Sequence, residues 1–194
     1  MDHATIAVYD RIAPAYAARR RPVRSQEASE FGARVPQGVW RADLGSGTGR
    51  YTGFLGSPVL ALDASFGMLA LAERGTRVQA DVEALPLRRG ALGGAWASQC
   101  YQHVPRQQLP LALARLHDTM CVGAPLQLSF GVPAADDFPG RLFEGWSPED
   151  LARVLEGAGF TVSPATAPSM VEPVAAAPVA PPVTAPDVVE ATGH

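Results

Sequence analysis

The sequence predicts an α/β domain in which a mostly parallel sheet is doubly wound, with helices on both of its faces. From residue 39 onward, short apolar runs bounded by Gly, Asp or Pro alternate with longer segments that carry leucines at helical spacing. A glycine-dense turn follows the first run, which is typical of a ligand site at the end of a strand. With 194 residues and 47% hydrophobic content, the chain is long enough for one such domain with a single core.

The apolar runs give five predicted strands, and the segments with helical spacing give four predicted helices. The predicted strands are residues 39–43, 59–62, 77–80, 95–98 and 126–130, and the predicted helices are 6–21, 66–73, 111–120 and Pro148–Gly157. The last helix is the best marked. Ser147 can cap it, Pro148 suits its first position, and Asp150 completes a capping box three residues after the cap.

The composition changes abruptly after residue 162, where Pro, Ala and Val begin to alternate. Prolines are spaced too closely there for a helix or a central strand. We therefore predict a folded domain at 1–163, including an N-terminal lid helix at about 5–21, and a flexible Pro/Ala/Val-rich tail at 164–194.

Charge and cysteine content limit the class of protein. A net charge of −3 disfavours a chain whose whole surface binds nucleic acid. The two cysteines, Cys100 and Cys121, have no C-x-x-C spacing, which indicates free thiols in a reducing compartment. No stretch approaches the roughly 20 apolar residues that span a bilayer, and the histidines lack metal-binding spacing. The sequence thus predicts a cytoplasmic protein without a membrane span or a metal.

The glycine turn at 45–49, which is predicted to lead into a helix, is the most informative motif. Gly45, Gly47 and Gly49 occupy alternate positions, which lets a ligand lie directly on the backbone. A dinucleotide site would have its third glycine at Arg50, so an NAD-dependent oxidoreductase is a distant alternative. The carboxylate of Asp43, two residues before the turn, would repel a phosphate and suits a cation such as an amino group.

Two further acids end the next two predicted strands. Asp63 lies twenty residues after Asp43, at the distance at which an aspartate accepts hydrogen bonds from both hydroxyls of a ribose. Asp81 ends the third strand, where an adenine amino group could donate to its side chain. A single aspartate at a strand end is usually a cap or turn residue. Three of them beside a glycine turn favour a nucleoside site.

These motifs closely resemble the class I methyltransferases that use S-adenosylmethionine (SAM), in the small form typified by ubiquinone-biosynthesis enzymes. The resemblance covers residues 9–160 and implies a Rossmann-like fold. The matching motifs are YDRIAPAY at 9–16, DLGSGTG at 43–49, Asp63 with Met68, ADVEALP at 80–86, WAS at 96–98, QHVP at 102–105, WSPEDL at 146–151 and GF at 159–160. The resemblance implies that SAM is held by Asp43, Gly45, Ser46, Gly47, Gly49, Asp63, Ala64, Met68, Asp81, Val82 and Ser98.

Two departures from that family pattern stand out. The family often has an acid just before its fourth strand, where this chain has Gly93 and Gly94. It also usually closes its sheet with an antiparallel hairpin, and here residues 160–162 offer one short strand before the proline-rich tail. The hairpin is therefore predicted to be incomplete, and the exposed edge that results favours a homodimer.

The chemistry of methyl transfer requires mainly that the acceptor is held in line in a site that excludes water. A base is needed if the acceptor must lose a proton, and an imidazole suits that role. His103 is the leading candidate, because it follows the fourth strand, and Tyr16 and Tyr101 are candidates to close the pocket or orient an acceptor. Each of the three could instead pack or bond locally.

The acceptor itself is not encoded in these motifs. A small molecule is the leading hypothesis. RNA is an alternative, because the motif layout also resembles small tRNA wobble-uridine methyltransferases and because the basic run at 19–24 could receive an RNA backbone. A catalytically silent SAM-binding protein is a third hypothesis. The segment at 133–146 is the expected specificity loop.

Overall fold

The computed structural model describes residues 1–19, 22–131, 138–163 and 170–173. Its elements alternate along the chain as the sequence predicts. The helices are α1 His3–Arg19, α2 Ser25–Arg34, α3 Phe66–Ala70, α4 Leu109–Thr119 and α5 Pro148–Gly157, and the strands are β1 Arg41–Leu44, β2 Val59–Asp63, β3 Thr76–Gln79, β4 Gly94–Ser98, β5 Leu126–Ser129, β6 Val162–Ser163 and β7 Met170–Pro173.

One sheet organises the domain, in the order β3-β2-β1-β4-β5-β7-β6. The first five strands run parallel, and β7 and β6 are antiparallel. The chain moves outward from β1 to β3 and then returns to place β4 on the other side of β1. This reversal creates a crevice at the carboxyl ends of β1 and β4, where doubly wound sheets bind ligands. The predicted α/β fold is confirmed.

The far side of the sheet ends in a short antiparallel hairpin. β7 pairs with β5 through Leu128 and Ser129, and β6 pairs with β7. A strand therefore lies within the segment that the sequence analysis assigned to the tail, because four residues of extended backbone suffice to pair with β5. Since β5 is paired on both sides, it does not offer the open edge on which the expected homodimer was based. Residues 164–169 and 174–194 lie outside the described residues.

The strands β1, β2, β4 and β5 fit their places because their side chains are almost all buried on both faces, as central parallel strands require, whereas the edge strand β3 is largely exposed. Ala42, Leu44, Leu60 and Leu62 are at most 1% exposed and join the large apolar cluster. Burying a leucine contributes roughly 2 kcal/mol relative to leaving it in water. Helix α5 has the cap predicted from the sequence, since the Ser147 hydroxyl accepts a hydrogen bond from the Asp150 N–H at 3.0 Å.

The segment after the glycine turn differs from the prediction. A helix was expected there, but the structure has only a 3₁₀ turn at Thr52–Phe54, since Gly53, Gly56 and Pro58 interrupt the segment. The missing helix is replaced by α2, which the sequence analysis did not predict. Its Phe31 packs edge-on against Trp96 of β4, with ring centroids 5.6 Å apart.

A buried arginine joins α2 to the segment that follows the 3₁₀ turn. Arg41 of β1 is 3% exposed, and its guanidinium donates to backbone carbonyls from both segments that border it. The acceptor oxygens are those of Leu55 at 2.9 Å, Pro36 at 3.0 Å, Val39 at 3.1 Å and Gly32 at 3.4 Å. Because these carbonyls would otherwise be buried with fewer partners, Arg41 satisfies the backbone where a helix is absent.

The structure explains why two glycines stand at the start of β4, where the family often has an acid. A Cβ on Gly93 would lie 2.3 Å from Val39 Cγ1, and one on Gly94 would lie 2.5 Å from Val35 Cγ2. The loop that carries these valines packs against the start of β4, so no side chain fits there. Within the described residues, none of the helices has the length and apolar character needed to cross a membrane.

Candidate active site

A pocket of about 600 Å³ opens at the carboxyl ends of β1, β2 and β4, where the strand order reverses. Helix α1 covers it from one side. The lining residues come from the N-terminus, the glycine turn, the start of α3 and the segment after β4. They are Met1, Tyr9, Tyr16, Asp43, Gly45, Ser46, Gly47, Thr48, Arg50, Tyr51, Asp63, Met68, Ser98, Gln99, Cys100 and His103.

The glycine turn forms the floor of the pocket. A Cβ on Gly45 would lie 2.4 Å from the Cys100 Sγ, so no other residue fits there. Gly47 has a φ of 56°, and no atom lies within 4 Å of the position of its absent Cβ. Between them, the Ser46 hydroxyl is buried and has no hydrogen-bond partner among the described residues. A floor with open space above it and an orphaned hydroxyl fits a polar ligand lying on the backbone.

Asp63 ends β2 beside this floor. One carboxylate oxygen accepts from the Gly47 N–H at 2.7 Å and the other accepts from the Ser65 N–H at 2.8 Å. Burial raises the pKa of Asp63 to about 6, although these N–H groups act in the opposite direction. The carboxylate thus joins the glycine turn to the start of α3.

Asp43 ends β1 and is 2% exposed. It accepts a hydrogen bond from the Thr52 hydroxyl at 2.6 Å. Burial raises its pKa to about 7, and the nearby Asp63 adds to that rise, whereas the Thr52 hydroxyl lowers it. A buried carboxylate with one neutral partner is well suited to pair with a cationic group of a ligand.

The lid helix α1 is fastened at the cofactor side by Asp10. Its carboxylate accepts from the Ser65 hydroxyl at 2.6 Å and from the Gly67 N–H at 2.8 Å. The same Ser65 hydroxyl accepts from the Met68 N–H and caps α3. A negative charge at this helix start is favourable because the first N–H groups of α3 point toward it. Helix α1 is therefore held over the pocket.

A hydrogen-bonded chain fastens the other side of α1. The Tyr9 hydroxyl and His103 Nε2 lie 2.9 Å apart, and His103 Nδ1 lies 2.6 Å from the Leu142 carbonyl oxygen. Since a carbonyl can only accept, Nδ1 carries the proton and Nε2 accepts from Tyr9. The Arg141 guanidinium donates to the Tyr9 oxygen at 3.0 Å. Burial raises the pKa of Tyr9 to about 12, so the phenol stays protonated near neutral pH.

Comparison with known proteins identifies the kind of domain that contains this pocket. The sequence model of a family described as a methyltransferase domain matches residues 42–123, which include the glycine turn, Asp63 and the residues after β4. The chain therefore contains a SAM-dependent methyltransferase domain. SAM is therefore its cofactor, as predicted. No curated protein sequence matches the chain.

Solved methyltransferase structures share the fold. The Burkholderia thailandensis 1,6-didemethyltoxoflavin-N1-methyltransferase, with bound 1,6-didemethyltoxoflavin and S-adenosylhomocysteine (SAH), has a TM-score of 0.68 at 20% identity, over 89% of this chain and 88% of its own. A Thermotoga maritima SAM-dependent methyltransferase, described as a possible histamine N-methyltransferase, has a TM-score of 0.68 at 15% identity, over 88% and 99%. An Archaeoglobus fulgidus SAM-dependent methyltransferase has 0.62 at 19%, over 74% and 71%.

The methyltransferase brings most of its predicted cofactor residues to the pocket. Those that line it are Asp43, Gly45, Ser46, Gly47, Asp63, Met68 and Ser98. Four others, Gly49, Ala64, Asp81 and Val82, do not line it. Asp81 is instead engaged by Met1, which lines the pocket. The terminal ammonium of Met1 contacts the Asp81 carboxylate at 2.6 Å.

The three predicted catalytic candidates lie in different surroundings. His103 and Tyr16 line the pocket, and the Tyr16 ring packs edge-on against Tyr9 at 5.8 Å between centroids. Tyr101 is fully buried in the large apolar cluster and does not line the pocket, since the 3₁₀ turn at Tyr101–His103 directs it inward. Residues 20–21 of the arginine run and 133–137 of the expected specificity loop lie outside the described residues.

Sequence reasoning missed two of the side chains at the acceptor side of the pocket. Tyr9 belongs to a quoted motif, but its partnership with His103 joins residues 94 positions apart and has no local signal. Gln99 follows a strand without any motif of its own. Its proximity to the glycine turn depends on β4 lying beside β1, so only its place at a strand end could have drawn attention to it.

The raised carboxyl pKa values predict how the methyltransferase without ligands responds to pH. Folded Asp43 and Asp63 bind protons more tightly than the unfolded chain does, so this contribution to stability is present at low pH. It is lost as the pH rises from about 4 towards the folded values of about 7 and 6. We expect the melting temperature to fall between pH 5 and pH 8, and the fall to be roughly 5 °C smaller in Asp43→Asn.

Thermal unfolding followed by circular dichroism would measure this difference. Asp118→Asn is the matched control, because Asp118 is exposed and pairs with Arg89 at the surface. The control should keep the wild-type fall. An equal fall in wild type and Asp43→Asn would contradict the assignment of the titration to Asp43.

Proposed function

We propose that this methyltransferase transfers the methyl group of SAM to a small-molecule acceptor by in-line displacement. The observation that carries the proposal is a pocket closed by α1, which Asp10 fastens on the cofactor side and Tyr9 on the acceptor side. A pocket that α1 covers on one side suits a small molecule better than a polymer. Two free cysteines agree with a cytoplasmic enzyme.

The cofactor roles follow from the chemistry of the lining. Asp43 and the glycine turn hold the methionine end, where the buried carboxylate faces the amino group and the orphaned Ser46 hydroxyl gains a partner. Asp63 receives the ribose hydroxyls, and Met68 packs on the adenine face. Ser98 closes the wall beside the glycine turn.

The other four predicted residues would lie around the adenine, along the ribose or at the end of the glycine turn. Asp81 and Val82 serve the adenine side, with the Asp81 carboxylate accepting from the amino group in place of its contact with Met1. Ala64 continues the backbone from Asp63 along the ribose, and Gly49 ends the turn.

The acceptor side supplies a route for a proton. Bound SAM supplies an electrophilic methyl group, so the protein has to position the nucleophile and receive its proton. The Tyr9 oxygen can accept the acceptor's proton while its own proton moves to His103 Nε2, and the charged imidazole keeps its Nδ1–H bond to Leu142. Tyr16 packs on Tyr9 and fixes the orientation of its ring.

The cofactor assignment predicts a large effect of Asp63→Ala. Calorimetric titration of wild type with SAH should give micromolar affinity, and the variant should bind at least about 30-fold more weakly, because it loses the carboxylate for two ribose hydroxyls. Asp118→Ala changes an exposed carboxylate elsewhere and should bind as wild type does. Unchanged affinity in folded Asp63→Ala would overturn the role of Asp63.

The acceptor class has its own test. Tritiated SAM incubated with small-molecule pools should yield labelled products below 1 kDa with wild type and none with His103→Ala. Label in RNA, together with binding that weakens steeply with salt, would replace the small-molecule proposal with RNA methylation. SAH binding without any labelled product would favour a silent SAM-binding protein.

A further inference from the structure

Gln99 has an unusual backbone for its residue type. It follows β4 with a φ of 56°, and in the part of the chain that the structure describes it is the one non-glycine residue with positive φ. This left-handed region disfavours a side chain, and glycine is its usual occupant. The Gln99 N–H donates to the Ser129 carbonyl at 2.8 Å and holds the conformation. Such conformations concentrate at ligand sites, where the side chain is needed in one direction.

The Gln99 side chain is exposed and lines the pocket, where its amide makes no hydrogen bond to any of the described residues. Its neighbour in space is Gly131, where an added Cβ would lie 3.1 Å from Gln99 Cδ. Gln102 differs in both respects, because it is buried and its Oε1 accepts from the Gly131 N–H. Of these two amides, that of Gln102 completes the fold, and that of Gln99, a residue of the pocket lining, has no partner among the described residues.

The groups around Gln99 bear on what it can bind. Both nitrogens of His103 are engaged by neutral groups, and the neighbouring phenol of Tyr9 is protonated near neutral pH. The pocket lining carries the carboxylates of Asp43 and Asp63 together with the guanidinium of Arg50, so its charges do not select an ion of one sign. An exposed amide carries two donors and an acceptor, so it pairs best with a neutral group that offers one of each.

We propose that the Gln99 amide binds the acceptor through a paired donor and acceptor hydrogen bond, and that the acceptor is a neutral molecule with an amide or lactam group. This inference rests on the proposed small-molecule function and names its substrate class. The left-handed backbone places Gln99 at the pocket wall, and Gly131 leaves the space that its amide needs.

The test uses the full chain saturated with SAH and three probes of similar shape. Benzamide has the paired donor and acceptor, acetophenone lacks the donor, and benzoate carries a negative charge. By ligand-observed NMR titration, benzamide should bind at millimolar concentration and the other two at least tenfold more weakly. Gln99→Met, which keeps the length of the side chain, should weaken benzamide tenfold. The matched control is Gln107→Met, an exposed glutamine away from the pocket, which should bind as wild type does.

Each result has a defined meaning. Equal benzamide affinity in wild type and Gln99→Met overturns the role of Gln99, and benzoate binding as tightly as benzamide overturns the neutral class. Either result leaves small-molecule methylation standing, whereas a wild type that does not bind SAH removes the basis of both proposals. Gln99→Gly should lose benzamide without a lower melting temperature. A lower one would show that the side chain serves the fold and would overturn the inference.

Discussion

Gly47→Ala is expected to weaken SAH binding at least about 100-fold, equivalent to about 2.7 kcal/mol, while the protein stays folded. No atom lies within 4 Å of the position of the added methyl group, so nothing in the protein opposes it. That methyl group instead occupies the space above the glycine turn, in which the cofactor is proposed to lie. The φ of 56° at residue 47 lowers the free energy of unfolding of the alanine variant by about 1 kcal/mol. Calorimetric titration with SAH and urea unfolding would measure the two effects.

The matched control for this backbone cost is Gly90→Ala. Gly90 also has a positive φ, 63°, and no atom within 4 Å of an added Cβ, but it does not line the pocket. The control should lose about the same stability and keep wild-type SAH affinity. Similar losses of affinity in both variants would mean that backbone strain, and not the added methyl group, disturbs the site.

Arg41→Met is expected to lower the free energy of unfolding by about 3 kcal/mol. The substitution keeps most of the side-chain volume but leaves buried carbonyls without their donor, each at a cost of about 1–3 kcal/mol when no water replaces it. Removing a charge that had no carboxylate partner recovers part of this loss, and burial already lowers the pKa of the guanidinium. Urea unfolding would measure the change.

Arg89→Met is the control for this prediction. Arg89 is exposed and pairs with Asp118 at the surface, so its loss should leave the unfolding midpoint where it is. If Arg41→Met also unfolds at the wild-type midpoint, the packing of α2 against the 3₁₀ turn does not depend on the Arg41 guanidinium.

The fold was predictable where the pattern was local. Four of the five parallel strands, β1, β2, β4 and β5, are almost entirely buried, and their short runs differ in periodicity from the helices between them. Helix α2 was missed because its buried positions, Ala28, Phe31 and Gly32, are few and follow a proline-containing arginine run. The strand β7 was missed for the opposite reason, since pairing with β5 gives order to a segment whose composition suggests none.

The candidate site was predictable where one strand end and one turn define it. Asp43, Asp63 and the glycines carry their chemistry in their spacing, and the structure gathers them around one pocket. The acceptor side was harder, because it is assembled from distant segments. Tyr9, His103 and Leu142 meet only in the folded chain. The Asp81 contact with Met1 likewise depends on where α1 brings the terminus.

The fastening of α1 by adjacent residues has a kinetic consequence. Asp10 holds the helix on the cofactor side, and Tyr9, one position earlier, holds it on the acceptor side. Neighbouring residues of a rigid helix cannot move apart, so both sides open in the same event. We therefore expect one gate to govern both exits, with the methylated product and SAH leaving at a shared rate that is set by the motion of α1 and not by either ligand's own contacts.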